Sequence, residues 1–156
     1  MATPLVNMNI KDMFFDRPRV RRAVDRATRQ ALSKSGAFIR QRARTSMRRR
    51  RGSSAPGSPP HAHEGSLRRL LFFAYEPAPG GGSVVVGPVG FRLSDAPNTL
   101  EFGGAATVTR RRVGRDGKRL VQSRRVRIEA RPYMGPALRK ELPNMPRAWA
   151  GSVRGG

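Results

Sequence analysis

The chain contains no cysteine, two histidines, one tryptophan and two tyrosines. The lack of cysteine excludes disulfide scaffolds, thiolate metal sites and cysteine nucleophiles. Acids are scarce as well: ten Asp and Glu stand against 32 Lys and Arg in 156 residues, for a net charge of +22. Aromatic residues make up 6% of the chain and hydrophobic residues 37%. Both values are low for a globular domain. The core is therefore expected to be small, with part of the apolar surface buried against other subunits. The longest apolar stretches, residues 70–74 and 83–86, are strand-sized, whereas a membrane span needs about 20 residues. No membrane partner is expected. Residues 1–10 lack the basic start and apolar core of a signal peptide.

What the chain has in excess is arginine. Of the 32 bases, 28 are Arg and 4 are Lys. GC-rich codon usage can raise that ratio, but it does not explain the deficit of acids. A surplus of this size implies a polyanionic or acidic neighbour.

Residues 1–16 read as an N-terminal arm in which Met13, Phe14 and Phe15 are anchor candidates. Asp16 and Pro18 form a helix-start signature, with Asp16 as N-cap. No proline follows until after Arg51. Val20, Val24, Ala27 and Ala31, then Phe38, Ile39, Ala43 and Met47, mark one apolar stripe. Arg17, Arg21, Arg22, Arg26, Arg29, Arg40, Arg42 and Arg44 fall largely off it. This pattern predicts an amphipathic helix from Arg17 to about Arg50. Gly36 either bends it or permits close packing. Residues 52–64 form a Gly/Ser/Pro-rich loop. A short helical turn is expected over 66–70, a strand over 70–75, a tip over 76–82 and a return strand over 83–89. Another short turn is expected over 98–102. The β-branched, Arg-alternating runs 107–113 and 120–128 flank Asp116-Gly117, a strong turn signal. Neither face of this hairpin is cleanly apolar, which predicts a projection lying in solvent or on a partner. Residues 132–142 read as a final helix, stopped by Pro143 and Pro146, and 143–156 as a tail. The fold class expected is α+β: a long N-terminal helix packed on a small antiparallel sheet, a protruding basic hairpin and a short C-terminal helix, with one domain over 17–142.

Catalytic chemistry has little to draw on. His61, His63 and Glu64 are the only metal-like cluster, on a proline-flanked loop, and they fall short of a closed four-ligand site. A Ser-His-Asp arrangement would need its nucleophile beside that loop. Gly80-Gly81-Gly82 lacks the Gly-Lys-Ser/Thr ending of a phosphate loop. No enzyme activity, metal or cofactor is expected. The candidate contact residues are the basic clusters: Arg48, Arg49, Arg50 and Arg51; Arg110, Arg111 and Arg112; and Arg124, Arg125 and Arg127. Such clusters suit phosphates or acidic protein surfaces.

Three local signatures stand in order along the chain. Gly57-Ser58-Pro59-Pro60 leads to Glu64-Gly65-Ser66-Leu67-Arg68-Arg69 and a hydrophobic strand. Leu100-Glu101-Phe102-Gly103 follows, then Ala130-Arg131-Pro132-Tyr133-Met134-Gly135-Pro136-Ala137-Leu138. With the basic helix in front, this order resembles the tail-completion and neck proteins of tailed double-stranded-DNA bacteriophages, often described as minor tail components. The resemblance covers about residues 17–142. It departs from the usual pattern at His63-Glu64, at Leu70, at Gly104 and at Pro97-Asn98, where an aromatic commonly precedes the Glu-Phe-Gly.

The resemblance implies a structural virion protein, made in the bacterial host cytoplasm, that forms a homo-oligomeric ring at the head–tail junction. A hexamer is favoured over a dodecamer. Its neighbours would be connector or stopper and tail-tube proteins, with non-specific contact to genomic DNA in the channel. Within the motifs, Gly65, Leu67, Glu101, Phe102, Gly103, Arg131, Pro132, Tyr133 and Pro136 are expected to hold the fold and ring contacts. Gly65 and Gly103 suit tight turns, and Arg131-Pro132 an extended approach to the last helix. Leu67, Phe102, Tyr133, Met134 and Leu138 are expected core contacts. A non-specific nucleic-acid-binding basic protein is the alternative.

Overall fold

The computed structural model describes residues 17–79, 81–91, 95–113 and 119–150. The expected arm (1–16, with Asp16), the turn at 114–118 and residues 151–156 lie outside them. Helix α1 runs Arg17–Ser46, and a single turn, α2, spans Ser66–Arg69. Strands β1 (Leu71–Ala78) and β2 (Gly81–Pro88) follow, then α3 (Ala96–Phe102). Strands β3 (Gly104–Val113) and β4 (Arg119–Ile128) lead to α4 (Met134–Glu141), a 3₁₀ turn (Leu142–Asn144) and α5 (Met145–Trp149). The class is α+β, with the long helix on antiparallel strands. The strands form two separate two-stranded sheets, β1–β2 and β3–β4.

Helix α1 is organised by one row of residues four apart. Ala27, Ala31, Ser35, Ile39, Ala43 and Met47, which follows the last helical turn, are all buried. Residues four apart share a helix face and form one packing ridge. Ser35 tolerates burial because its hydroxyl donates to the Ala31 carbonyl at 2.9 Å. Val20 and Val24, which extend the apolar stripe beside this row, stay exposed, as does Phe38 at 51%. The apolar stripe read from the sequence is therefore covered only along its C-terminal two-thirds.

Hairpin β1–β2 packs on this face of α1. Gly36 is the point of closest approach: a Cβ there would lie 2.5 Å from Val84 Cγ2 and 3.1 Å from Phe73 Cδ2. The hairpin extends further than expected, since Glu76 pairs with Ser83 and Ala78 with Gly81. Near its tip, Tyr75 donates to the Gly81 carbonyl at 3.0 Å, and its ring occupies the space a Cβ on Gly82 would need. The core proper joins Ile39, Ala43 and Met47 of the long helix to Ala62, Leu71, Tyr133 and Ala137. Leu67, Val86, Leu100, Met134 and Met145 pack against it.

Three expectations change. Phe102, at 79% exposure, and Leu138, at 42%, face solvent and are not core. The chain also does not leave the body at Pro143. Pro143 and Pro146 fall in the first turns of the 3₁₀ segment and of α5. There a missing N–H costs nothing, so each proline starts a new turn. Helix α5 packs back on α1, and the expected tail is ordered through Trp149.

Candidate partner-binding surface

The second and third sequence signatures meet through one carboxylate. Glu101, at the end of α3, accepts from the backbone N–H groups that open α4. Its Oε2 takes Tyr133 N at 2.8 Å and Met134 N at 3.0 Å, and its Oε1 takes Gly135 N at 2.7 Å. Helix N-termini leave such donors without partners inside the helix. Tyr133 itself, the N-cap of α4, makes no side-chain cap. Glu101 supplies the missing acceptors from 32 residues away in sequence.

Around this link the rest of the motifs close. Arg131 N donates to the Leu100 carbonyl at 2.6 Å, and Arg131 Nε to the Ser54 carbonyl at 3.0 Å. Gly57 N donates to the Ala130 carbonyl at 2.8 Å, which ties the 52–64 loop to the same junction. Gly103 has φ +76°, and a Cβ there would sit 3.0 Å from Ala130 N; glycine is required on both counts. Gly65, at φ +73°, precedes α2 in the left-handed region. Tyr133 is buried to 1% exposure. Burial, with the negative charge of Glu101 added, pushes its hydroxyl up to about 12. These contacts hold backbone and core together at one junction.

The basic clusters lie elsewhere. Hairpin β3–β4 pairs Gly104 with Ile128 through to Val113 with Arg119. Residues opposite one another share a face, so Arg111, Arg125 and Arg127 take one face and Arg112 and Arg124 the other. All five are exposed. Arg110 pairs with Gln122 in the ladder, and its side chain lies outside the described residues. The hairpin meets the body mainly where β3 follows α3. Thr109 and Ser123 share a hydrogen bond at 3.0 Å across it.

Arg48, Arg49, Arg50 and Arg51 follow the end of α1, all exposed. Among the described residues none of them forms an ion pair. Arg48 and Arg50 line a groove of about 510 Å³ with Arg42, Thr45, Ser46, Ser58, Pro59, His61 and Lys140. The sequence reading missed this assembly. Arg42 and Lys140 are almost a hundred residues apart, and no local pattern connects them.

Beside the groove, Arg42 pairs with Glu141 through Nε and Oε1, and Asn144 Nδ2 donates to Glu141 Oε2 at 3.2 Å. Burial opposes the Glu141 charge, but the hydrogen bonds from Asn144 and Arg42 outweigh it and hold the carboxyl below its ordinary range. Of the His loop, His63 and Glu64 are exposed, and the His61 ring meets the Gly52 carbonyl through Nδ1 at 3.1 Å. No protein-family model, curated protein or solved structure matches the chain.

Proposed function

We propose that this protein is a structural subunit of the neck or tail terminus of a tailed double-stranded-DNA phage. In this reading it self-assembles into a ring, with six copies favoured, between the head connector or stopper and the tail tube. DNA passes through the lumen, and the protein catalyses nothing.

The observation that carries the reading is the β3–β4 hairpin. It has ten residues in each strand, exposed arginines on both faces and no third strand on either edge among the described residues. A lone two-stranded hairpin is marginal in water, and open strand edges invite pairing with another chain. A neighbouring subunit would supply the missing cover. The motif residues support the same reading by their structural use: Glu101, Gly103, Arg131 and Tyr133 knit one junction and leave no reactive constellation. A net charge of +22 further favours residence among acidic neighbours or DNA.

Light scattering of the purified protein across a salt series, with and without DNA, tests the proposal. Discrete oligomers without DNA support it. The second reading, a monomeric nucleic-acid binder, is favoured by the Arg48 to Arg51 run, which forms no ion pair among the described residues. It predicts a monomer at every salt concentration that binds DNA with a steep salt slope.

A further inference from the structure

The groove at the end of α1 is built, and its construction indicates what it takes. After Ser46 the helix stops, and residues 48–50 have no regular secondary structure. Arg48 and Arg50 enter the groove, while Arg49 and Arg51 are not among its lining residues. The far wall is fastened by two bonds. Ala62 N donates to the Arg48 carbonyl at 3.0 Å, and His61 Nδ1 bonds the Gly52 carbonyl at 3.1 Å. Lys140, from the last turn of α4, closes the third side.

The charge balance is one-sided. Arg42, Arg48, Arg50 and Lys140 bring four positive charges, and Glu141 cancels that of Arg42. The C-terminal ends of α1 and α4 each add at most about half a negative charge. About two net positive charges remain, and among the described residues the lining holds no acid. Pro59 is its only apolar side chain. Protein–protein contacts are commonly anchored by aromatic residues or Arg seated in well-packed pockets, and for such packing the groove offers Pro59 alone. A phosphodiester backbone needs only spaced cations.

We propose that this groove seats a nucleic-acid backbone, with Arg48, Arg50 and Lys140 each neutralising one phosphate. The site would serve either a DNA-threaded ring or a free monomer, so it stands independently of the assembly reading. The test compares a triple variant, Arg48→Ser, Arg50→Ser and Lys140→Ser, with one that removes the same charge from exposed positions on α1: Arg21→Ser, Arg22→Ser and Arg26→Ser. Binding of a short fluorescent DNA duplex is followed by anisotropy across a salt series, with fluorescent poly-glutamate as a second probe. Circular dichroism confirms that both variants fold.

Each phosphate contact contributes about 0.9 to the slope of log K against log salt. The groove variant should therefore lose about 2.7 in slope, and the helix variant less than about 1. Equal losses in both variants, or an unchanged groove variant, would overturn the proposal. So would a groove that poly-glutamate occupies as tightly as DNA, since that marks an acidic protein as the partner. Light scattering of the same samples reports on ring formation separately.

Discussion

Replacing Glu101 is the sharpest test of how the molecule is held together. Its carboxylate accepts three backbone N–H groups, at 2.8, 3.0 and 2.7 Å, from Tyr133, Met134 and Gly135. Losing an ordinary N-cap side chain costs about 0.5–2 kcal/mol, and a hydrogen bond to a charged group is worth about 1.5–3 kcal/mol. The three bonds do not add in full. Met134 and Gly135 are half-buried, so water can replace part of what they lose, whereas Tyr133 is closed off. Glu101→Ala should therefore cost about 3 kcal/mol. Glu101→Gln keeps one acceptor oxygen but turns an NH₂ group toward at least one N–H, and should cost about half as much. Urea denaturation followed by circular dichroism measures both, as a shifted midpoint with an unchanged slope. For a chain of this length the Ala variant should melt about 6–12 °C lower. An Ala variant within about 0.5 kcal/mol of the parent, or a Gln variant as damaged as Ala, would refute the capping account.

Other expectations follow from the same contacts. Gly36→Ala should destabilise by about 1–2 kcal/mol despite the better helix propensity of alanine, because its methyl meets Val84; adding Val84→Ala should recover part of the loss in a double-mutant cycle. Arg42→Ala should cost about 1–2 kcal/mol at neutral pH, a value discounted because the Arg42 side chain is 43% exposed. The folded-state pKa of Glu141 is lowered, so its stabilising contribution is present above the ordinary carboxyl range and lost as pH falls through the folded value; Glu141→Gln should flatten that acid limb in urea titrations. The hydroxyl of Tyr133 is raised to about 12. Its contribution is intact below pH 10 and declines by about 2–3 kcal/mol toward pH 12 as the unfolded state ionises first; Tyr133→Phe should remove that decline.

The element order was largely legible in the sequence. Proline-free amphipathic spacing announced α1, and β-branched runs beside Gly and Asp-Gly announced both hairpins. Where the reading erred, side chains served a purpose that local pattern does not encode. Ser35 was not part of the apolar stripe and is buried within it, because a back-bond to Ala31 satisfies its hydroxyl. Phe102 looked like core and faces solvent, because α3 uses Glu101 and backbone bonds, not its aromatic, to reach the last helix. Pro143 does close α4, which ends at Glu141, but it and Pro146 also open the short turns that follow, so the chain folds back where a tail was expected. The Glu101 cap and the Arg42–Lys140 groove depend on contacts spanning 32 to about a hundred residues, and local sequence signals do not extend that far. The Arg48 to Arg51 run was visible as charge, but only the folded chain shows that Arg48 and Arg50 line the groove while Arg49 and Arg51 do not.

Negative-stain electron microscopy of the purified protein, at the salt concentration where scattering finds its largest discrete mass, tests the central claim most directly. The account predicts closed rings of uniform size with a central channel, formed without DNA. A population that stays at the 17.2 kDa monomer mass with and without DNA and with the neighbouring neck proteins added would contradict it.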